Sequence, residues 1–212
     1  MNLFVSLLNF ITFPLRAISL FTKDKFIFWS LKTERFHYVA KRVRGYCLDV
    51  GCGRNNAFVC NWLNANGRGI DIFKYEGLSI CNLFQPPYFP FPDKIFDTVT
   101  LIASYHHIPR RHRLIELREA FRCLKPNGRI IITAVNPIAG YWVHRLVHFY
   151  SHLFKKSIDE DTDRGHLDKE ESDFALDSEI KMNLRNAGFI GIRKKYFSTQ
   201  WGLNHLLIGE KL

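Results

Sequence analysis

The sequence has few of the features that mark disulfide-rich, zinc-binding or repetitive proteins. Its five cysteines are odd in number and form no Cys-x-x-Cys pair. This usage favours reduced thiols in a cytoplasmic protein over disulfides or a structural metal site. No repeat or low-complexity tract divides the 212 residues, a length that suffices for one well-buried core with additional elements. We therefore expect a cytoplasmic protein built around one main domain.

A long hydrophobic run is also missing from the N-terminal region. Met1 to Leu15 carries no charged side chain, but Pro14 and Arg16 end the run well short of the ~20 apolar residues that cross a bilayer. The segment also lacks the basic start and the small-residue cleavage site of a signal peptide. Its leucines and phenylalanines recur at helical spacing. Basic residues follow it: Lys23, Lys25, Lys32, Arg35, Lys41, Arg42 and Arg44.

Residues 1–43 are therefore predicted to form an apolar and basic helical extension, with a domain at 44–212. Two interpretations of the extension remain open. It attaches the protein to an anionic membrane surface, or it packs as a cap on the domain core.

A cofactor loop is predicted where an apolar strand, Cys47 to Val50, runs into Gly51-Cys52-Gly53. Glycines let the backbone approach a ligand closely, and the following helix N-terminus offers unpaired N–H groups. A second strand, Arg68 to Ile72, carries Asp71 at 20 residues after Gly51. A carboxylate at that distance can accept hydrogen bonds from both hydroxyls of a ribose. The alternative is a pair of strand-end carboxylates that only cap turns.

Two further segments extend the pattern. Phe89-Pro90-Phe91-Pro92-Asp93-Lys94-Ile95-Phe96-Asp97 leads into a strand, and Glu119-Ala120-Phe121-Arg122-Cys123-Leu124-Lys125-Pro126-Asn127-Gly128 ends a helix in a turn. With the glycine loop and Asp71, they resemble the class I S-adenosylmethionine-dependent methyltransferases, in particular the broad group that acts on small molecules and resembles methyltransferase type 11. The resemblance runs from about Arg44 to Leu212.

The predicted fold is α/β, with a Rossmann-like, mostly parallel sheet covered by helices on both faces. The predicted strands are Cys47 to Val50, Arg68 to Ile72, Leu78 to Cys81, Phe96 to Ala103, Arg129 to Ala134, Gly188 to Tyr196 and Leu203 to Glu210. The predicted helices are Ala57 to Asn64, Arg110 to Cys123, Gly140 to Phe154 and Ser178 to Ala187. The last two of the seven strands should form an antiparallel hairpin, which the resemblance also implies. The link from Ile72 to Leu78 is too short for a full crossover helix.

The resemblance implies S-adenosylmethionine as cofactor and assigns residues to it. Asp49 orders the glycine loop and the amino-acid end of the cofactor, Gly51 and Gly53 let the backbone approach, and Asp71 holds the ribose. Ile72 and Phe73 cover the adenine, while Asn82 accepts a hydrogen bond from its amino group. Leu83 and Ser104 complete the predicted cofactor residues. Asn55 stands where many relatives have a third glycine; asparagine is the best other residue for a left-handed backbone conformation.

Tyr105, His106 and His107 follow the fourth strand and are the candidate catalytic residues, because ligands bind at the carboxyl ends of strands in such sheets. Either histidine could take a proton from a hydroxyl or amine acceptor, and Tyr105 could face the sulfonium. The alternative is that a histidine here caps the next helix or packs beneath the cofactor.

Three other motifs are set aside. Gln85-Pro86-Pro87-Tyr88 resembles the signature of adenine and glutamine methyltransferases, but it precedes the fourth strand instead of following it. A dehydrogenase is disfavoured because Asn56 occupies the third glycine position of the dinucleotide fingerprint. His144, His148 and His152 lie four residues apart in a predicted helix, but no glutamate accompanies them there and no metal is expected.

Charge is distributed unevenly along the chain. Ten acidic and two basic residues lie between Asp159 and Glu179, so the remainder holds 28 basic against 10 acidic residues. A basic surface favours an anionic partner, such as a phospholipid, a phosphorylated intermediate or nucleic acid. A surface whose charge is partly neutralised by the acidic segment is the alternative.

The sequence therefore predicts methyl transfer from S-adenosylmethionine to a small-molecule or lipid-linked acceptor, with an insertion at about 136–178 shaping the acceptor pocket. A nucleic-acid methyltransferase is less favoured, because the aromatics cluster in apolar runs and no separate RNA-binding domain is present. A module that binds the cofactor without catalysis is the remaining alternative.

Overall fold

The computed structural model describes residues 2–13, 16, 29–73, 81–136, 145 and 175–212. Its helices are α1 (Leu3–Ile11), α2 (Leu31–Ala40), α3 (Ala57–Trp62), α4 (Arg110–Cys123) and α5 (Asp177–Asn186). Its strands are β1 (Cys47–Val50), β2 (Gly67–Asp71), β3 (Cys81–Leu83), β4 (Phe96–Leu101), β5 (Leu124–Val135), β6 (Ile190–Tyr196) and β7 (Asn204–Glu210). Single helical turns lie at Arg54–Asn56, Tyr105–His107 and Ser198–Gln200.

The strands of the described residues form one mixed sheet in the order β3-β2-β1-β4-β5-β7-β6. The four neighbouring pairs from β3 to β5 run parallel, whereas β7 pairs antiparallel with both β5 and β6. All four residues of β1 are buried, as expected for a central strand of a sheet that is covered on both faces. The carboxyl ends of β1, β2 and β4 meet at one edge of the sheet, where a ligand site is expected.

Two hydrophobic clusters show that helices cover both faces of this sheet. Side chains that alternate along a strand point to opposite faces; accordingly, Leu48 packs with Leu117 of α4, and its neighbour Cys47 packs with Phe58 of α3 and Val39 of α2. Ile180 and Leu184 of α5 join the first cluster. The predicted α/β fold with a mostly parallel sheet is thus confirmed.

Several predicted boundaries were wrong by a few residues. The third strand was predicted at Leu78 to Cys81, but it runs from Cys81 to Leu83, because these residues pair with Gly69, Ile70 and Asp71 of β2. The fifth strand begins at Leu124 instead of Arg129, since Leu124 already pairs with Phe96 before the Pro126-Asn127-Gly128 turn. Residues 74–78 of the link from Ile72 to Leu78, which was predicted too short for a helix, lie outside the described residues. So do the predicted helix at Gly140 to Phe154, apart from Arg145, and its three histidines.

Residues of the two motif segments, Phe89 to Asp97 and Glu119 to Gly128, stabilise the fold around β4. Asp97 accepts a hydrogen bond from the Tyr46 N–H (2.8 Å) and contacts the Lys125 ammonium (2.9 Å). Arg122 bonds the Glu119 carboxylate and the Asp93 carboxylate, each at 2.7 Å. Burial acts to raise the pKa of Asp97, but the Tyr46 N–H and Lys125 outweigh it and the pKa is lowered. These residues hold the loop before β4 against α4.

The N-terminal segment packs on the domain through a buried ion pair. The Arg16 guanidinium lies 3.2 Å from the Glu34 carboxylate and donates to the Asn9 carbonyl (2.7 Å). Gln200 donates to the same Glu34 oxygen at 2.8 Å, and burial nevertheless raises the pKa of Glu34. Phe13 packs on Trp201 with ring centroids 5.5 Å apart. Removing Arg16 would leave a buried glutamate without its ion-pair partner, so the segment stabilises the domain.

The opposite side of α1 is apolar and exposed. Leu3, Phe4, Leu7 and Ile11 lie on one face of the helix and are 57–87 % exposed. This helix is short, and among the described helices none has the length and apolar character needed to cross a bilayer. The segment therefore combines one docked face with one exposed hydrophobic face.

Candidate functional site

A cavity of about 480 Å³ opens at the carboxyl ends of β1, β2 and β4. Its walls include Asp49, Gly51, Gly53, Asp71 and Ser104, which are five of the predicted cofactor residues. The volume lies within the roughly 300–1,000 Å³ of typical small-molecule sites. The sheet topology thus brings together residues that are up to 55 positions apart in the chain.

The glycine loop after β1 has a backbone that requires its glycines. Gly51 has a φ of 71°, and a Cβ there would lie 2.5 Å from the Cβ of Ser104. Gly53 combines a φ of 68° with a ψ of −176°, a region essentially confined to glycine. Asn55 also has a positive φ, 69°, so the predicted left-handed asparagine is confirmed. The next residue, Asn56, is also an asparagine in the left-handed conformation, with a φ of 45°.

Asp71 holds this loop in place from the end of β2. One carboxylate oxygen accepts the Gly53 N–H at 2.8 Å, and the other accepts the Phe73 N–H at 3.1 Å. The residue is 6 % exposed and lines the cavity. Each carboxylate oxygen has further acceptor capacity. Asp71 is therefore positioned both to shape the loop and to accept hydrogen bonds from a ligand.

Asp49 presents a second buried carboxyl to the cavity. Thr100 donates to it through its hydroxyl at 2.7 Å. Burial raises the pKa of Asp49 to about 7; the Thr100 hydrogen bond lowers it, and the nearby charge of Asp71 raises it further. A cationic group bound beside Asp49 would favour its ionised form. Asp49 is consequently suited to hold an ammonium group.

Ile72 and Phe73 continue from Asp71 along the cavity wall, and Ile72 is 45 % exposed. The backbone of Asn82 pairs with Ile70, and that of Leu83 pairs with Asp71. These two residues therefore lie on the strand next to Asp71, and their predicted contacts with a cofactor stay predictions. Ser104 donates from its hydroxyl to the Val50 carbonyl at 2.7 Å, which ties the end of β4 to the glycine loop.

His106 and His107 both line the cavity, with ring centroids 3.9 Å apart. The turn that carries them is anchored by Arg113, which donates to the Ile108 carbonyl at 3.0 Å and to the His106 carbonyl at 3.5 Å. Arg113 is itself buried and paired with Glu179 at 2.5 Å. This anchoring keeps both imidazoles in the cavity wall at the carboxyl ends of the strands.

The structure corrects the position of Tyr105. Its side chain is 1 % exposed, packs in the main hydrophobic cluster and does not line the cavity. The hydroxyl accepts a hydrogen bond from Asn183 at 3.0 Å, and the Arg113 guanidinium lies 5.4 Å from the ring centroid. Neighbouring residues of a tight turn point in different directions, so Tyr105 supports the turn while His106 and His107 face the cavity.

The helix α2 contributes residues that the motifs did not reveal. Lys32, Arg35 and Phe36 share one helix face and line the cavity. The sequence placed Lys32 and Arg35 among the charges behind the N-terminal segment. The Arg35 Nε is buried and has no hydrogen-bond partner among the described residues, and burial lowers the pKa of the guanidinium. The helical spacing of these three residues was the signal that could have identified this face.

Glu116 of α4 is a second cavity residue that the sequence did not indicate. It is 3 % exposed, and burial raises its pKa to about 8. No motif contains it, and it lies among the charged residues of a helix that looks amphipathic. Only the packing of α4 against the sheet shows that this carboxyl faces the cavity.

Comparisons with known proteins agree with this geometry. The family model described as a methyltransferase domain matches residues 24–169. A demethylmenaquinone methyltransferase of Geobacillus sp. (strain WCH70) is 28 % identical over 130 residues, which cover 58 % of this chain and 53 % of that protein. The chain thus spans about half the length of the curated relatives it matches.

Two solved structures have a similar fold. A SAM-dependent methyltransferase from Thermotoga maritima has a TM-score of 0.57 at 16 % identity, with 85 % of this chain and 89 % of that chain covered. The 1,6-didemethyltoxoflavin-N1-methyltransferase of Burkholderia thailandensis, solved with S-adenosylhomocysteine, has a TM-score of 0.55 at 14 % identity and coverage of 85 % and 77 %. At these identities the likeness concerns the fold alone.

Proposed function

The chain belongs to the family of S-adenosylmethionine-dependent methyltransferases, and we propose that it transfers a methyl group from this cofactor to a small-molecule acceptor. The observation that carries the proposal is the convergence of a Gly-x-Gly loop with two buried carboxyls, Asp49 and Asp71, on one cavity. Strand ends of this kind are where open α/β sheets bind nucleotide-type ligands.

The cavity residues fit S-adenosylmethionine. Gly51 and Gly53 line the cavity without a side chain that would keep a ligand from the backbone, and a Cβ at Gly51 would have no space beside Ser104. Asp71 retains acceptor capacity for ribose hydroxyls, and Asp49 is a buried carboxyl that suits the ammonium of the amino-acid end. Ile72 supplies an exposed apolar surface for the adenine. Each of these assignments is part of the proposal.

When bound, the cofactor supplies a methyl group activated by a sulfonium, which an acceptor nucleophile displaces in line. The chain's own residues position the two reactants and exclude water. Phe36, Ile102 and Ile108 give the cavity apolar walls. His106 and His107 lie where a neutral imidazole can accept the proton of a hydroxyl or amine acceptor through a ring nitrogen.

We propose further that the acceptor is lipid-linked and that the protein is cytoplasmic and associates with membranes. The name demethylmenaquinone methyltransferase concerns the relatives, and it motivates testing a quinone-type acceptor here. The exposed face of α1 (Leu3, Phe4, Leu7 and Ile11) supports an interfacial role, because an apolar helix face beside basic residues suits an anionic lipid surface. The net charge of the protein, +10, is opposite in sign to that of an anionic lipid surface.

A methyl-transfer screen tests the proposed activity. We expect calorimetry to detect binding of S-adenosylhomocysteine, and we expect cofactor with a labelled methyl group to label a lipid or metabolite fraction of a cell extract. Labelling of an RNA fraction instead would favour the nucleic-acid alternative. Binding without any transfer would favour a non-catalytic module, and a folded protein that binds neither cofactor nor product would contradict the proposal.

The membrane proposal predicts that the wild type sediments with vesicles of phosphatidylcholine and phosphatidylglycerol. Replacing Leu3, Phe4 and Leu7 by serine should lower the bound fraction at least tenfold, because each buried apolar side chain contributes roughly 1.5–3 kcal/mol. High salt should weaken binding of the wild type. Point substitutions are preferable to deletion, since Arg16 and Asn9 of the same segment pack into the domain.

Tyr88 provides the matched control, because it is an exposed apolar residue (67 %) outside α1. Tyr88→Ser should sediment like the wild type, and all variants should bind S-adenosylhomocysteine equally. A wild type that remains in the supernatant at low salt would contradict membrane attachment and would favour a soluble acceptor.

A further inference from the structure

Glu116 is a buried carboxyl without a partner in the described part of the chain. It is 3 % exposed and borders the cavity, and burial alone raises its pKa, without a contribution from a hydrogen bond or charge of another described residue. Its carboxyl oxygens are not among the fully enclosed polar atoms that lack a partner, so they are open to the cavity. Such a carboxyl is therefore expected to gain a hydrogen-bond partner from a molecule that fills the cavity.

The next glutamate of the same helix shows the contrast. Glu119 bonds the Arg122 guanidinium at 2.7 Å and accepts the Phe89 N–H at 2.9 Å. Glu119 thus has a structural role that its contacts explain completely. Glu116, one turn earlier in α4, lies nearer the carboxyl ends of the strands and has no such contacts.

The side of the cavity on which Glu116 lies follows from the neighbouring loop. Because Phe89 bonds Glu119, the segment from Phe84 to Phe89 runs beside α4. Phe84 in turn donates its N–H to the Asp71 carbonyl at 3.1 Å, so this segment starts at the end of β2. Phe84 and Pro86 line the cavity together with Glu116.

Glu116 therefore shares the cavity with Phe84, which is hydrogen-bonded to the residue of the proposed ribose-binding carboxylate. Phe84 and Leu117, the neighbour of Glu116, belong to the same hydrophobic cluster. Phe36 of α2 packs against the cluster on the other face of the sheet. Glu116 thus belongs to the helix on one face of the sheet, Lys32 and Arg35 belong to the helix on the other face, and all three line the cavity.

The chemistry of this wall suits a flat base with a polar edge. Phe84, Pro86 and Ile108 are apolar, and Glu116 is the carboxyl among them. Since burial raises its pKa to about 8, the group is mainly protonated at neutral pH and offers a hydroxyl donor beside a carbonyl acceptor. The edge of adenine offers an amino donor beside a ring-nitrogen acceptor, which is the complementary pattern.

Accordingly, we propose that Glu116 recognises the base of the cofactor by accepting a hydrogen bond from the adenine amino group. This assignment rests on the proposed function, because it requires that S-adenosylmethionine occupies the cavity. It adds a recognition residue on α4 to the prediction for Asn82 on β3. The two are compatible, since the amino group carries two N–H donors.

The test compares binding of S-adenosylhomocysteine with binding of its analogue in which purine replaces adenine, so that the amino group is missing. We expect the wild type to bind the adenine compound about tenfold more tightly, as one buried hydrogen bond predicts. Glu116→Leu should bind S-adenosylhomocysteine about tenfold more weakly and discriminate less between the two ligands, with Asn82 left to accept from the amino group. Glu116→Gln retains a carbonyl acceptor and should restore most of both properties.

Thermal unfolding separates recognition from a structural role. Glu116→Leu removes a buried unpaired polar group, so its melting temperature should equal or exceed that of the wild type. An unchanged affinity of Glu116→Leu for S-adenosylhomocysteine, or an equal loss for both ligands, would overturn the proposal. A raised KM for the acceptor alone would assign Glu116 to acceptor binding instead. Failure of the wild type to bind S-adenosylhomocysteine would contradict the proposed function itself.

Discussion

Asp71→Ala is expected to weaken the binding of S-adenosylhomocysteine by roughly 100-fold or more, since a hydrogen bond to a charged group contributes about 1.5–3 kcal/mol and the ribose provides two hydroxyls. The substitution also removes the acceptor of the Gly53 and Phe73 N–H groups, so the glycine loop loses its support. Titration calorimetry well below the melting temperature of the variant measures the effect.

A deoxyribose ligand separates these two causes. The wild type should bind the 2′-deoxy analogue of S-adenosylhomocysteine more weakly than the parent compound, whereas Asp71→Ala should bind the two alike. Asp93→Ala is the matched control, because it removes an exposed carboxylate from an ion pair with Arg122 outside the cavity. Its affinity should equal that of the wild type. Wild-type affinity in Asp71→Ala would refute the ribose assignment.

Asp49→Asn is expected to stabilise the free protein at pH 8 and to weaken ligand binding. Asp49 is fully buried, and its pKa is raised from its ordinary value of 3.8 to about 7. The folded protein therefore holds this proton more tightly than the unfolded chain does. The resulting stabilisation is present at low pH and is lost as the pH rises from about 4 through 7. Asparagine carries no such proton, so it avoids the cost of a buried charge.

Chemical unfolding of the wild type and of Asp49→Asn across this pH range measures the difference between their free energies of unfolding. At pH 8 Asp49→Asn should be more stable than the wild type by about 2–4 kcal/mol, and the difference should shrink towards pH 4. The variant should bind S-adenosylhomocysteine at least tenfold more weakly, because the ligand's ammonium loses its carboxylate partner. Equal stability at pH 4 and 8 would contradict the raised pKa.

Some features of the site followed from the sequence because short-range rules determine them. An apolar run predicted β1, and the glycines after it predicted a loop that a ligand can approach; in the structure Gly51 and Gly53 line the cavity with positive φ. Asparagine tolerates the left-handed conformation, which Asn55 adopts. Asp49 and Asp71 were predicted to serve one cofactor, and both line the cavity because the carboxyl ends of parallel strands meet at one edge of the sheet.

Long-range packing decided the features that the sequence could not show. The orientation of α4 against the sheet turns Glu116 into the cavity, and the docking of α2 brings Lys32 and Arg35 there instead of leaving them on the surface. The same packing turns Tyr105 into the core. These outcomes depend on the rotation of each helix about its axis, which residues distant in the chain determine.

The N-terminal segment shows the same division. Its sequence predicted an apolar helix, and α1 occupies Leu3–Ile11. Which face docks was decided by Arg16, because its guanidinium reaches Glu34 and the Thr199 carbonyl, the latter 183 residues away. The local pattern thus determined the helix, the glycine loop and the strand-end acids, whereas only contacts between distant residues decided which side chains face the cavity, the core or the exterior.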